Sequence, residues 1–230
     1  MSLADIRVPT IAPELGCIRQ VAYIVKDIDV AMKEWQVERG VKGFVVARDA
    51  QPLSNASYRG KKKHSVIIDL AFGYLDDLQV ELIELKDDTP SMYKEALDRN
   101  QVDLQHYAVV VEDFDGAYQF ARDKGFETIV DSGVKGIARM SYIEATDFEK
   151  NVFDEDEKTF MTTPEGHGII LEVIEWNGMT KPYFDTIQQM VDALPEGQLY
   201  REFSLSSTTP IGELAKILPG FIWKAITRKL

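Results

Sequence analysis

The sequence predicts an α+β protein in which one strand–helix–strand–strand–strand unit occurs twice, followed by a helical C-terminal extension. Three observations carry that prediction. Ile18–Ala31 (IRQVAYIVKDIDVA) aligns without a gap on Leu104–Ala117 (LQHYAVVVEDFDGA), with Ala22/Ala108, Val25/Val111, Asp27/Asp113, Asp29/Asp115 and Ala31/Ala117 identical and Gln20 under His106. Leu78–Leu85 (LQVELIEL) aligns on Ile169–Trp176 (IILEVIEW), which sets Glu81 under Glu172, Ile83 under Ile174 and Glu84 under Glu175. Only two copies are present, so this is a diverged duplication and not a solenoid array. The expected organisation is a first βαβββ module over 17–85, a connector over 86–103, a second module over 104–176 and an extension over 177–230.

Each element follows from local pattern. Residues 1–16 hold two prolines and a glycine and read as an irregular lead-in. Ile18–Val25 is a strand; Asp27 or Asp29 then caps a helix through Arg39, with Ile28, Ala31, Met32 and Trp35 at near-helical spacing. Gly40 and Gly43 stop it before a Phe44–Ala47 strand, and 48–63 read as a polar loop ending in Arg59-Gly60-Lys61-Lys62-Lys63. His64–Phe72 and Leu78–Leu85 form a hairpin across a Gly73–Asp77 turn, and Ser91–Asn100 is a short connector helix. The second copy repeats the order: strand Leu104–Val111, helix Phe114–Lys124, and paired strands Ile137–Ala145 and Gly168–Trp176. Between those two strands lies an acidic insertion, Thr146–His167, with Asp147, Glu149, Asp154, Glu155, Asp156 and Glu157. It lacks the glycine and spacing of an EF-hand and reads as a solvated loop or lid. The tail carries an amphipathic helix over Phe184–Leu194 and later apolar segments Ile211–Leu218 and Phe221–Leu230. The last can pack on its own domain or a partner subunit, or touch a membrane surface.

Composition narrows the function classes. With 45% apolar and 28% charged residues, the 230-residue chain is that of an ordinary globular protein. No apolar run reaches the roughly 20 residues needed to span a bilayer, and the N-terminus has no basic-then-apolar leader. A single cysteine, Cys17, excludes an internal disulfide framework and agrees with a reducing cytoplasm. A formal charge of −12 argues against nucleic-acid binding.

Strand parity selects the functional candidates. Gln20, Glu81, His106 and Glu172 fall mid-strand at matched positions, where burial without a ligand or partner is costly. Glu84 and Glu175, three positions on, point to the opposite face near strand ends. If the two units pair about a pseudo-twofold axis, the four mid-strand side chains converge. One imidazole, two carboxylates and one amide oxygen then suit a divalent ion such as Zn²⁺, Ni²⁺, Co²⁺, Mn²⁺ or Fe²⁺. His64 and His167 carry less weight, and His167 sits in a Glu-Gly-His-Gly turn that reads as exposed or as part of a lid. Arg59 and Lys61–Lys63 make a basic loop that is either solvated or able to hold an anionic substrate tail. Tyr23, Tyr107, Trp35 and Phe72 read as core or pocket wall.

In this order and repeated, the motifs Gln20–Asp29, Val80–Ile83, His106–Asp113 and Gly168–Glu172 resemble the vicinal-oxygen-chelate superfamily over residues 17–176. That superfamily includes glyoxalase I, methylmalonyl-CoA epimerase, extradiol dioxygenases and bleomycin- or fosfomycin-resistance proteins. The resemblance implies paired βαβββ modules on a curved mixed sheet, with metal ligands at Gln20, Glu81, His106 and Glu172. A Gln/Glu/His/Glu set is similar to the glyoxalase I branch, whereas the dioxygenases place histidine where Gln20 stands. The same resemblance implies a metal-dependent lyase or isomerase that stabilises an enediolate or enolate of a small carbonyl or thioester substrate. Glu172 is expected as catalytic base, and Glu81 as mainly a ligand with a catalytic part. An acyl-CoA epimerase and a metal-free small-molecule-binding protein are the alternatives. A cytoplasmic homodimer is expected, without nucleic-acid or membrane partners.

Overall fold

Among the described residues the strands form one 11-stranded sheet, and its central seam is where the two copies of the repeat meet. The computed structural model describes residues 13–53, 56–100, 102–134, 138–145, 170–177 and 180–203. In chain order the elements are a 3-10 turn Pro13–Leu15, β1 Cys17–Ile24, α1 Ile28–Arg39, β2 Phe44–Ala50, β3 Ala56–Tyr58, β4 Lys61–His64, β5 Ile68–Leu75 and β6 Leu78–Leu85. There follow α2 Met92–Asp98, β7 Leu104–Val111, α3 Phe114–Asp123, β8 Phe126–Val134, β9 Ala138–Ala145, β10 Ile170–Glu175, a C-terminal helix α4 Thr180–Asp192 and β11 Tyr200–Glu202.

The sheet order is β11-β2-β5-β6-β1-β7-β10-β9-β8-β3-β4. Within each copy the first strand pairs in parallel with the last: β1 with β6, and β7 with β10. The two first strands, β1 and β7, pair antiparallel, which places the pseudo-twofold axis between them. The result is a curved, unclosed mixed sheet of two βαβββ modules, as the sequence predicts. Alternation along the strands separates two faces. On the outer face α1 buries Ile28, Ala31, Met32 and Trp35 against Phe44, Val46, Val80 and Leu82, and α3 buries Phe114, Ala117 and Ala121 against Val109, Leu171 and Val173. On the inner face α2 (Met92, Tyr93) and α4 (Ile187, Val191) pack on Ala22, Ile83, Phe72 and Ile170.

Helix caps explain why α1 and α3 start where they do. Asp27 accepts from the Val30 N–H and Asp113 from the Gly116 N–H, so the repeated aspartates are matched N-caps. Glu84 adds a second anchor by accepting from the Ile28 N–H at 2.9 Å. Its counterpart Glu175 pairs with Arg139 at 3.3 Å. Both strand-end glutamates thus have structural partners on the outer face.

Several sequence expectations change. Residues 48–63 are not a loop throughout: β2 runs to Ala50, and β3 and β4 form a hairpin. Arg59 and Gly60 both have positive φ, 44° and 75°, the pattern of a two-residue hairpin turn. The hairpin extends the far edge of the second module, with Tyr58 opposite Val130 of β8. Long-range pairing decides this, and a run of lysines conceals it. β5 begins at Ile68, not His64, and Gly73 lies inside it because the turn sits at Asp76 and Asp77. The C-terminal helix starts at Thr180, four residues early, and the extension includes a strand, β11, which pairs parallel with β2. The acidic insertion 146–167 with His167, and the segments 211–218 and 221–230, lie outside the described residues.

Candidate functional site

The geometry of the seam assembles the site. Across β1 and β7, Gln20 faces Ala108 and Ala22 faces His106, as a twofold pairing of repeat equivalents requires. Glu81 of β6 stands beside Ala22, and Glu172 of β10 beside Ala108. Gln20, Glu81, His106 and Glu172 therefore share the inner face on four adjacent strands. The two alanines between them are fully buried. All four are buried: His106 is 0% exposed and none exceeds 8%.

His106 Nε2 lies 3.4 Å from a Glu81 oxygen and 3.5 Å from a Glu172 oxygen. Neither contact has hydrogen-bond geometry, so this fully buried nitrogen has no hydrogen-bond partner. The other ring nitrogen, Nδ1, meets the Gln105 Oε1 oxygen, which can only accept, so Nδ1 carries a proton. Burial alone would lower the imidazole pKa, but the flanking Glu172 and Glu81 carboxylates raise it to about 9. Burial raises Glu81, opposed by the imidazole and reinforced by the Glu172 charge.

Gln20 is held by a chain of hydrogen bonds that sequence reasoning misses. Its Nε2 donates to Gln79 Oε1 at 2.6 Å, Gln79 Nε2 donates to the Tyr74 hydroxyl at 2.6 Å, and that hydroxyl donates to the Phe184 carbonyl on α4 at 3.0 Å. With its nitrogen committed, the Gln20 amide has its oxygen left for a ligand. Parity with Glu81 and the position opposite Gln20 are the signals that could have found Gln79. Gln105 was hidden for a different reason. A register shift between β1 and β7 at this point makes it a bulge residue, so it and His106 are both buried despite being adjacent.

Three inner tyrosines complete the wall. The Tyr142 ring meets the His106 ring edge-on at 5.3 Å. Burial, then the charges of Glu81 and Glu172, raise the phenols of Tyr93 and Tyr142 well above the usual range, and Tyr183 is raised the same way. They stay neutral in the field of the two carboxylates.

Among the described residues no three His, Cys, Asp or Glu side chains are drawn together tightly enough to hold an ion as they stand. The donor set nevertheless fits a divalent ion in its chemistry. One imidazole nitrogen without a hydrogen-bond partner faces two carboxylates, and an oriented amide lies on the same face. The other predicted residues do not join the site. Tyr23 and Trp35 stack edge-on at 5.0 Å against the outer helix, Tyr107 packs on the outer face near α3, and Phe72 is inner core. Arg59 is committed to Glu95 and Glu144 at 2.7 and 3.2 Å, so the basic loop loses its arginine as an anion holder. Lys61 is exposed. His64 ends β4, away from the seam.

No curated protein matches the sequence. Among solved structures, the chain is similar to methylmalonyl-CoA epimerase from Mycobacterium tuberculosis at 16% identity over 68% of this chain and 85% of that one, TM-score 0.43. It is similar to a hypothetical protein from Bacillus halodurans at 14% identity over 70% and 94%, TM-score 0.45. A single-residue variant of Streptomyces coelicolor methylmalonyl-CoA epimerase in complex with 2-nitronate-propionyl-CoA gives 14% identity over 69% and 93%, TM-score 0.44. With residues 19–143 matching that family's pattern, the chain belongs to the Glyoxalase/Bleomycin resistance protein/Dioxygenase superfamily.

Proposed function

We propose that the protein is a metal-dependent lyase or isomerase of the glyoxalase I type, moving a proton on the carbon next to a carbonyl of a small carbonyl or thioester substrate. The observation that supports this reading is the buried His106 Nε2 without a hydrogen-bond partner, facing Glu81 and Glu172, with Gln20 oriented alongside. Gln20, Glu81, His106 and Glu172 would hold the ion. Once bound, a divalent ion supplies positive charge that stabilises negative charge developing on the substrate oxygens. Glu172 takes the proton from the carbon and returns it, passing through an enediolate or enolate. Glu81 and His106 hold the centre, and Gln105 keeps the His106 ring oriented through Nδ1. The buried inner face, walled by Tyr93, Tyr142 and Tyr183, excludes water from the carbanion-like state.

The test combines metal analysis with solvent exchange. Purified protein incubated with Zn²⁺, Ni²⁺, Co²⁺ or Mn²⁺ is expected to retain about one ion per chain and to exchange deuterium from D₂O into candidate α-hydroxythioesters and acyl thioesters. Exchange into the former marks the glyoxalase-type reaction, and into the latter an acyl-CoA epimerase. A protein that takes up none of these ions and exchanges neither would be a metal-free binding protein of the same fold.

A further inference from the structure

The arginines of the described residues divide by burial and by partner. Arg39, Arg59, Arg99, Arg122 and Arg201 are exposed, and only Arg19, Arg48 and Arg139 are half-buried. Arg48 is clamped by Asp29 at 2.7 Å and Asp69 at 3.0 Å, and Arg139 by Asp115 at 2.7 Å and Glu175 at 3.3 Å. Arg19 has no carboxylate partner among the described residues, in a chain with 38 acidic against 26 basic side chains. A half-buried arginine with no carboxylate among these residues is left free to take an anion from a bound molecule.

Its position says where that anion would come from. The β1/β7 register shifts between Ile18 and Gln20, so Arg19 is a bulge residue, the repeat counterpart of the bulge at Gln105. The bulge breaks the alternation that would send residue 19 to the outer face. The guanidinium instead lies 5.9 Å from the ring of Trp176, which follows β10 on the same parity as Glu172 and Ile174 and packs on Phe184 of α4. Arg19 also bears electrostatically on the inner-face Tyr74, the hydroxyl bonded to Gln79. A cation thus stands next to Gln20 in the chain, at the Trp176 end of the inner face that also carries Glu81 and Glu172, whose charges would repel an anionic substrate.

We propose that Arg19, backed by the Trp176 ring, is a specificity-determining residue that binds a carboxylate on the substrate, away from the reacting carbonyl. This rests on the metal-centred reading of the site and narrows its substrate class to small carbonyl compounds bearing a carboxylate. The planar guanidinium fork matches a carboxylate bidentately, and the aromatic face shields the pair from water.

The test uses hydroxamates, whose adjacent oxygens imitate the enediolate, titrated by calorimetry into the Zn²⁺-loaded full chain. N-hydroxysuccinamate and N-hydroxyglutaramate carry a terminal carboxylate; butyrohydroxamate and valerohydroxamate are their neutral counterparts. For the wild type, a carboxylate tail is expected to tighten binding about tenfold or more, as charge-assisted hydrogen bonds do. Arg19→Met should abolish that ratio while the neutral hydroxamates bind as before, and Arg19→Lys should keep part of it. Equal affinity for charged and neutral tails in the wild type overturns the proposal without need of any variant. So does an Arg19→Met protein that melts lower yet keeps the ratio, since Arg19 would then be structural. A phosphonate-tailed hydroxamate binding tighter than both carboxylates overturns the carboxylate assignment. Failure of Zn²⁺ uptake and of every hydroxamate overturns the metal reading, and the proposal with it.

Discussion

At the scale of single residues, the two carboxylates beside His106 are expected to separate by role. Glu172→Gln should keep most of the bound metal and lose about 10²–10⁴ in turnover, the usual cost of removing a positioned base. Glu81→Gln should lose metal along with turnover. Metal content by elemental analysis, set beside the deuterium-exchange rate, checks both, and the reverse pattern would exchange the roles. Gly16 gives a stability prediction. It sits at φ +64°, and a Cβ there would stand 2.2 Å from the Val110 carbonyl oxygen. Gly16→Ala should therefore cost about 2–3 kcal/mol through the left-handed backbone and displacement of β7. Chemical denaturation reads that loss directly.

Among the elements, the β3–β4 hairpin is the part whose attachment is most open to test. Arg59 spans Glu95 of α2 with two contacts at 2.7 and 3.0 Å and reaches Glu144 of β9 at 3.2 Å, while the Tyr58 hydroxyl also bonds Glu95. These charges are partly solvated, so Arg59→Ala should cost about 1 kcal/mol, or roughly 2–4 °C in Tm for a chain of this size. Burial would raise the Glu95 pKa, but Arg59 and Tyr58 outweigh it and hold it below the ordinary value. A depressed folded-state pKa means that the contribution to stability is present above the unfolded value, about 4.3, and fades as pH falls through the folded value. The Tm advantage of wild type over Glu95→Gln should accordingly hold from pH 7 to 5 and shrink as the pH drops below about 4. An advantage unchanged down to pH 3 would mean that the pair is not what holds the hairpin.

For the whole molecule, the decisive feature is that the two modules pair within one chain. All four candidate ligands come from that chain, so metal content per chain should not fall on dilution from micromolar to nanomolar protein. A site shared between chains would lose its metal as the assembly dissociates. A homodimer remains a proposal for sedimentation to decide. The apolar face of α4 does not argue for it, because Phe184, Ile187 and Val191 are buried against the chain's own sheet.

By itself the sequence determined the duplicated βαβββ order, the matched N-caps at Asp27 and Asp113, and the four mid-strand polar positions. Each of these is local or periodic: a cap lies within one helical turn of what it caps, and parity is set by the pleat. The β3–β4 hairpin on β8, the β11 strand on β2 and the docking of α4 in the inner face were decided only by tertiary structure. Their sequences are short, charged or amphipathic, and their partners lie far along the chain. The same holds for Arg19 and Gln105. Strand alternation assigns them to the outer face, and only the irregular pairing of β1 with β7 reverses that, because a bulge is a property of two strands in register and not of either sequence alone.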